Sequence, residues 1–329
     1  MAGHTHVCGP ARPPLSARMP RVASHRRRLR RLCSEVAPLE VASSALSGGL
    51  LVEAFNARGF VSPVACVQAA EASRVREALL SWEVATGLDA GAEVRGKGHL
   101  KLQEIYQLVR HPGILDRVEQ VLGPNILCWG TSLFSKHTGD PAYVGWHADS
   151  YFWGLSSFDV CSVWVALTPS TEENGCMKVA PSARGGVWVA PQTHAHAVFP
   201  DTANMLFTKE EIPREEVDEA SSYSCVLSTG ECTLFHVNVV HGSGPNLSRE
   251  RRLGLAIRYI RPSVRTVPLK PGQVGLAPWD EDKEGEAADD EGGRKTVTLV
   301  RGELTEEGAH WGLEREPDWA ELLAQQLKS

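Results

Sequence analysis

Trp146-His147-Ala148-Asp149 sets a histidine and a carboxylate two residues apart, and a second histidine, His241, follows much later at the end of an apolar, strand-like run. Two histidines and one carboxylate on one side of a metal leave the opposite side free for oxygen and a co-substrate. That is the arrangement of non-haem Fe(II) centres rather than of closed structural sites. In a strand, residues i and i+2 share a face, so His147 and Asp149 are expected to converge on one ion while Trp146 and Ala148 point away. Counting back by twos from His241 passes Val239, Val237 and Phe235, all apolar, whereas His236 and Asn238 fall on the other face. If the apolar side lines the interior, His241 is the ligand and His236 is not. The same three ligands also suit zinc, so a metal hydrolase and a non-catalytic metal-binding sensor both stay open.

Arg252 opens the strand that follows His241, and on it Arg252, Gly254 and Ala256 share a face while Arg251 aligns with Leu253, Leu255 and Ile257. Small residues beside Arg252 are expected to leave room for a ligand. A guanidinium grips a carboxylate through two parallel charge-assisted hydrogen bonds, which suits the far end of a dicarboxylate. Ser243 stands two residues past His241 and offers a hydroxyl. Lys101 and Lys136 are read as ordinary exposed lysines.

The elements that must position these groups are mainly β with flanking helices. Helices are expected at 69–82 and 115–122, the latter stopped by Gly123-Pro124, with residues 55–63 as a turn and short strand before them. Short runs rich in β-branched and aromatic residues then predict strands at 126–135, 162–167, 176–180, 187–190, 225–227, 232–240 and 253–260. Residues 296–301 are expected to return as a strand, and 319–327 as a terminal amphipathic helix. A helix-flanked barrel or sandwich fits this pattern better than βαβ repeats. The domain reading is a basic segment over 1–48, a β domain over 49–275, an acidic loop over 276–293, and a strand and helix over 294–329 that pack on the same domain.

At 329 residues, 42 % hydrophobic and 22 % charged, the composition is that of a soluble protein with ample core. A net charge of −6 argues against a general nucleic-acid surface. No apolar run approaches the roughly 18 residues a spanning helix requires. The expected partner is a small molecule, with no nucleic acid, no membrane and no obligate protein partner evident. The eight cysteines form no C-x-x-C pair, so they are read as reduced thiols. Residues 1–34 hold eight arginines, no lysine and no acid, the composition of an organelle transit peptide or of a disordered basic arm. The first reading implies a mitochondrion or plastid, the second the cytoplasm. Asp280 to Glu291 carries eight acids against one lysine and reads as a solvated loop. His194 and His196 share a strand face if extended, which allows a second metal site, and Tyr151, Phe152 and Trp153 are candidates to wall a pocket.

Trp146–Ser150, Trp164-Val165-Ala166-Leu167, Glu173-Asn174-Gly175-Cys176-Met177 and the stretch from His241 to Tyr259 resemble the phytanoyl-CoA dioxygenase family over roughly residues 55–301. The resemblance implies a double-stranded β-helix, the jelly roll of cupin-like proteins, with Fe(II), 2-oxoglutarate and O2. It assigns His147, Asp149 and His241 to iron, Arg252 and Ser243 to the distal carboxylate of 2-oxoglutarate, and Trp164 to the wall of that pocket. It also implies that the stretch 183–221 covers the mouth of the site. The family often reads Pro-Gly-Ser-His after its Asn-Gly strand, where this chain has Pro181-Ser182-Ala183-Arg184. Related halogenating enzymes carry a small residue at the carboxylate position, so Asp149 favours hydroxylation.

Overall fold

The computed structural model describes residues 48–181, 196–199, 202–206, 209–268 and 295–328. The basic N-terminal stretch, the strand expected at 187–190, His194 and the acidic tract lie outside the described residues. In chain order the helices are α1 (Gly48–Arg58), α2 (Ala69–Thr86), α3 (Ala90–Glu93), α4 (Gln103–Val109), α5 (Pro112–Leu122), α6 (Asp149–Phe152) and α7 (Trp319–Gln326). The strands are β1 (Phe60–Ala65), β2 (Ile126–Lys136), β3 (Val144–His147), β4 (Val160–Ala166), β5 (Met177–Ala180), β6 (Ala197–Val198), β7 (Glu210–Glu211), β8 (Tyr223–Ser224), β9 (Glu231–His236), β10 (Val240–Ser243), β11 (Arg252–Ile260), β12 (Thr296–Arg301) and β13 (Gly312–Leu313).

Two sheets form the body, one ordered β1-β9-β4-β11-β2-β12-β13 and the other β3-β10-β5-β8. The alternation of β11 explains how they are held. Its odd residues Leu253, Leu255, Ile257 and Tyr259 pack outward against a helical layer that includes Val75 and Leu79 of α2, Ile105 and Val109 of α4, and Ile114 and Val118 of α5. These helical residues recur at three- and four-residue spacing, so each helix buries one stripe. Burial of a Leu- or Ile-sized side chain contributes about 1.5–3 kcal/mol. The even residue Ala256 faces the other way, in a cluster where Trp164, Phe235, Met177 and Val239 bring the two sheets together.

Helix ends follow their local chemistry. At α2, Gln68 and Glu71 form a capping box and Gly87 closes the helix in the left-handed region. At α5, Pro112 sits in the first turn and Gly123 ends the helix. The C-terminal segment joins the same body: β12 pairs with β2, and Trp82 Nε1 donates to Gln326 Oε1 of α7 at 3.0 Å.

Three expectations are corrected. The strand expected over 232–240 is two strands in different sheets, because the chain turns at Val237 and Asn238 and crosses from β9 to β10. Its apolar alternation continues through the turn, since Phe235 and Val239 pack between the sheets while Val237 enters another cluster. The strand expected at 225–227 lies earlier, at Tyr223–Ser224, with Leu227 making only an isolated bridge to Ser170. Residues 48–58 and 103–109 form helices that the pattern reading did not mark.

Candidate metal centre

β3 and β10 run antiparallel, and His147 stands directly opposite His241 in their register. Opposed residues on neighbouring strands hold their Cβ atoms about 5 Å apart, so the ladder alone brings the rings together; their centroids are 4.1 Å apart. Asp149 arrives differently from the expectation of one continuous strand. β3 ends at His147 and Asp149 opens the single turn of α6, pinned where Ser150 N–H donates to Val237 O at 3.0 Å. The carboxylate therefore swings to the histidines by a change of backbone direction.

Asp149 Oδ1 lies 3.5 Å from His147 Nε2 and 3.9 Å from His241 Nε2. All three residues are buried and their donor atoms fall within 4.8 Å of one another, the one such cluster among the described residues. Bonds of about 2.1 Å would set neighbouring octahedral donors ~3 Å apart, so a modest inward movement seats an ion. The ring nitrogens are already assigned by their partners. His147 Nδ1 lies 2.8 Å from Gly145 O and His241 Nδ1 3.0 Å from Val239 O. A carbonyl only accepts, so Nδ1 carries the proton and each Nε2 presents its lone pair to the centre. Burial, reinforced by the charge of His147, lowers His241 to about 4. Burial would raise Asp149, but the neighbouring His147 and His241 outweigh it, so the carboxyl sits below its ordinary value. Both groups are metal-ready at neutral pH.

The cluster opens into a cavity that Ser243, Arg252, Trp164, Phe152, Trp153 and Arg258 also line. Arg252 is 2 % exposed. Its Nη2 donates to Gly175 O at 3.0 Å, its guanidinium lies 5.2 Å from the Trp164 ring, and its Nε is buried with no hydrogen-bond partner. No carboxylate pairs with it among the described residues. Gly175, at φ +73°, admits this contact: a Cβ there would stand 2.3 Å from Gly244 O. Gly254 does not leave open room beside Arg252, as the spacing of small residues had implied. The Trp164 ring fills that space, 1.8 Å from where a Cβ would be.

Lys136, set aside in the sequence as exposed, is fully buried at the end of β2, opposite Arg252 in the ladder. Its Nζ donates to Ser243 Oγ at 2.7 Å and to the Gly244 carbonyl, and burial with the charge of Arg252 pushes its pKa down to about 6. The signal was its strand-end position in register with Arg252, which only the pairing reveals. His236 is excluded from the centre: it packs against Phe55 and Phe158. His196 stacks on Tyr151 at 3.6 Å, and Tyr151 does not line the cavity. From the 183–221 stretch, Met205 and Leu206 reach the cavity, and Ile212 N–H bonds Trp146 O at 2.6 Å beside the triad.

The chain is similar in sequence and fold to known proteins. A probable alpha-ketoglutarate-dependent hypophosphite dioxygenase of Stutzerimonas stutzeri is 31 % identical over 167 residues, 49 % of this chain and 54 % of the relative. The L-proline trans-4-hydroxylase of Streptomyces griseoviridis is 28 % identical over 176 residues, 50 % of this chain and 65 % of the relative. The chain thus spans between half and two thirds of these relatives' length. Among solved structures, the non-heme monooxygenase ThoJ superposes with a TM-score of 0.61 at 28 % identity, over 84 % of this chain and 99 % of that one. The phytanoyl-CoA dioxygenase (PhyH) profile matches residues 52–254. That is more than half the sequence, so the chain belongs to the phytanoyl-CoA dioxygenase family of iron- and 2-oxoglutarate-dependent oxygenases.

Proposed function

We propose that this chain is an Fe(II)- and 2-oxoglutarate-dependent dioxygenase that hydroxylates a small-molecule or acyl-conjugate substrate. The observation that carries the reading is one cavity holding a three-donor metal cluster together with a buried guanidinium whose Nε has no partner. A mixed imidazole and carboxylate set suits ferrous iron, and the orphaned Nε of Arg252 suits an incoming carboxylate. With iron in place, the centre supplies decarboxylation of 2-oxoglutarate to succinate and carbon dioxide coupled to hydroxylation of a substrate C–H bond.

The chain's own residues do the rest. His147, Asp149 and His241 hold the metal, and the Gly145 and Val239 carbonyls fix both imidazoles in the ligating tautomer. Arg252 anchors the distal carboxylate of 2-oxoglutarate, with Trp164 flanking the guanidinium. Ser243 stands beside it with Lys136 donating to its hydroxyl, which leaves the Ser243 proton free to turn toward the co-substrate. Phe152, Phe235 and Met205 make apolar walls that limit water around the metal. A zinc hydrolase would use the triad but leaves Arg252 without a task.

The test is succinate formation by full-length protein, purified without oxygen and reloaded with Fe(II). Production that requires iron, 2-oxoglutarate and oxygen together, and is lost in His147→Ala, supports the reading. Turnover with zinc and without oxygen contradicts it.

A further inference from the structure

A second arginine on β11 enters the same cavity. Arg258 lies on the face of Arg252 and Ala256, six residues beyond Arg252 and so about 20 Å along the strand, and it is 7 % exposed. The β11–β2 ladder slips between Arg258 and Tyr259, a bulge of the kind that re-aims a side chain. Nη1 donates to Ser132 Oγ at 2.6 Å, and the guanidinium sits 5.5 Å from the Trp153 ring. Among the described residues no carboxylate lies within ion-pairing distance of it, and Asp149, whose charge it feels across the cavity, already belongs to the metal cluster. Two other arginines of the fold are paired with carboxylates: Arg251 grips Glu83 at 2.6 and 2.7 Å, and Arg301 holds Glu119 at 2.6 Å and Asp116 at 2.8 Å.

An uncompensated buried charge is costly, and a fold retains one where a ligand supplies the counter-charge. The family co-substrate does not supply it. The two carboxylates of 2-oxoglutarate and that of Asp149 are matched by a divalent ion and Arg252. Resting on the function proposed above, we infer that Arg258, steered by Ser132 and Trp153, is the anchor for an anionic group on the substrate to be oxidised. The substrate class is therefore a small molecule bearing a carboxylate or a phosphorus oxyanion, either of which a guanidinium binds through two parallel N–H donors.

The experiment is calorimetric titration, without oxygen, of the Fe(II)-loaded protein saturated with 2-oxoglutarate. The probes are short carboxylates in one arm and alkylphosphonates in the other, each against its neutral amide or ester. Wild-type protein is expected to bind at least one anionic arm about 30-fold or more tightly than the neutral counterparts, since removing one partner of a buried charge pair costs at least about 2 kcal/mol. Arg258→Gln should erase that preference, Arg258→Lys keep part of it, and Ser132→Ala weaken it even if the glutamine variant fails to fold. The arm that binds identifies the anion. Equal binding of charged and neutral probes by wild-type protein overturns the inference, as does a loss of 2-oxoglutarate affinity in Arg258→Gln as large as in Arg252→Gln. If wild-type protein fails to bind 2-oxoglutarate at all, the functional reading fails instead, so the two failures are distinct.

Discussion

Two buried charged clusters stand on opposite faces of β2, and they are built on opposite rules. On one face, Lys97 Nζ lies 2.5 Å from Glu314 Oε1, His99 Nε2 lies 3.4 Å from Glu314 Oε2, and Thr298 accompanies His99 at 2.9 Å. Thr131 of β2 accepts the His99 N–H at 3.1 Å. On the other face the next residue, Ser132, receives Arg258, while Lys136 ends the strand beside Arg252. The first cluster closes on itself, with a carboxylate between two basic groups. The second holds two arginines with no carboxylate among the described residues bridging them, beside a lysine that burial drives towards its neutral form. Burial alone therefore does not mark a site. Unsatisfied charge does, because a folded chain has no reason to keep it except for what binds there.

The largest effects are expected at the metal. His147→Ala, Asp149→Ala or His241→Ala should lower iron-dependent succinate production by more than about 100-fold, since even partners one layer out from a metal are worth 10–100-fold. Chromatographic succinate assays check this, and an active Asp149→Ala enzyme would break the comparison at its root. Next, Arg252→Gln should weaken 2-oxoglutarate by about 30-fold or more in equilibrium binding while barely altering the denaturation midpoint. A structural arginine would show the reverse.

The closed cluster should show that reverse pattern. Glu314→Gln leaves Lys97 buried without its counter-charge and should cost about 3 kcal/mol in denaturant unfolding, with 2-oxoglutarate affinity kept. Its pH dependence has a definite sign. Burial would raise Glu314, but the hydrogen bond from His99 and the charge of Lys97 prevail and hold it at about 2, against an ordinary 4.5. A depressed carboxyl stabilises the fold fully above the unfolded value, and that stability is lost as pH falls from 4.5 towards 2. His99, lowered by burial from 6.5, adds a loss that begins below that pH, because the unfolded chain takes up the proton first. Unfolding curves of wild-type protein should thus steepen in acid more than those of Glu314→Gln. The smallest effect is expected from Gly254→Ala, whose methyl would displace the Trp164 ring at a cost of about 1–3 kcal/mol, seen as a lower melting temperature and a few-fold weaker co-substrate.

Much of the open cluster was legible because residue type and short-range spacing carried it. His147, Asp149 and His241 have few competing roles in combination, and the alternation placed Arg252 and Ala256 on the cavity side of β11, although the Trp164 ring covers Gly254. What escaped depended on pairing between distant segments. Lys136 is buried because Ser243 and Gly244 supply oxygens from a different strand and its turn, and Glu314 meets Lys97 across more than half the chain. The break between β9 and β10 escaped for another reason: Val-Asn-Val keeps an apolar alternation through the turn, so periodicity persists where the strand does not. Asp149 meets the histidines by a geometry other than the continuous strand the spacing implied, since i and i+2 converge here across a strand end and a helical turn.

The most direct test of the account is a sequential titration of metal-free, full-length protein under anaerobic conditions, first with Fe(II) and then with 2-oxoglutarate, followed by calorimetry. The account predicts one iron per chain, 2-oxoglutarate binding only after iron, no iron binding in His241→Ala, and intact iron but much weaker 2-oxoglutarate in Arg252→Gln. Equal binding of 2-oxoglutarate by wild-type, His241→Ala and Arg252→Gln proteins would contradict it.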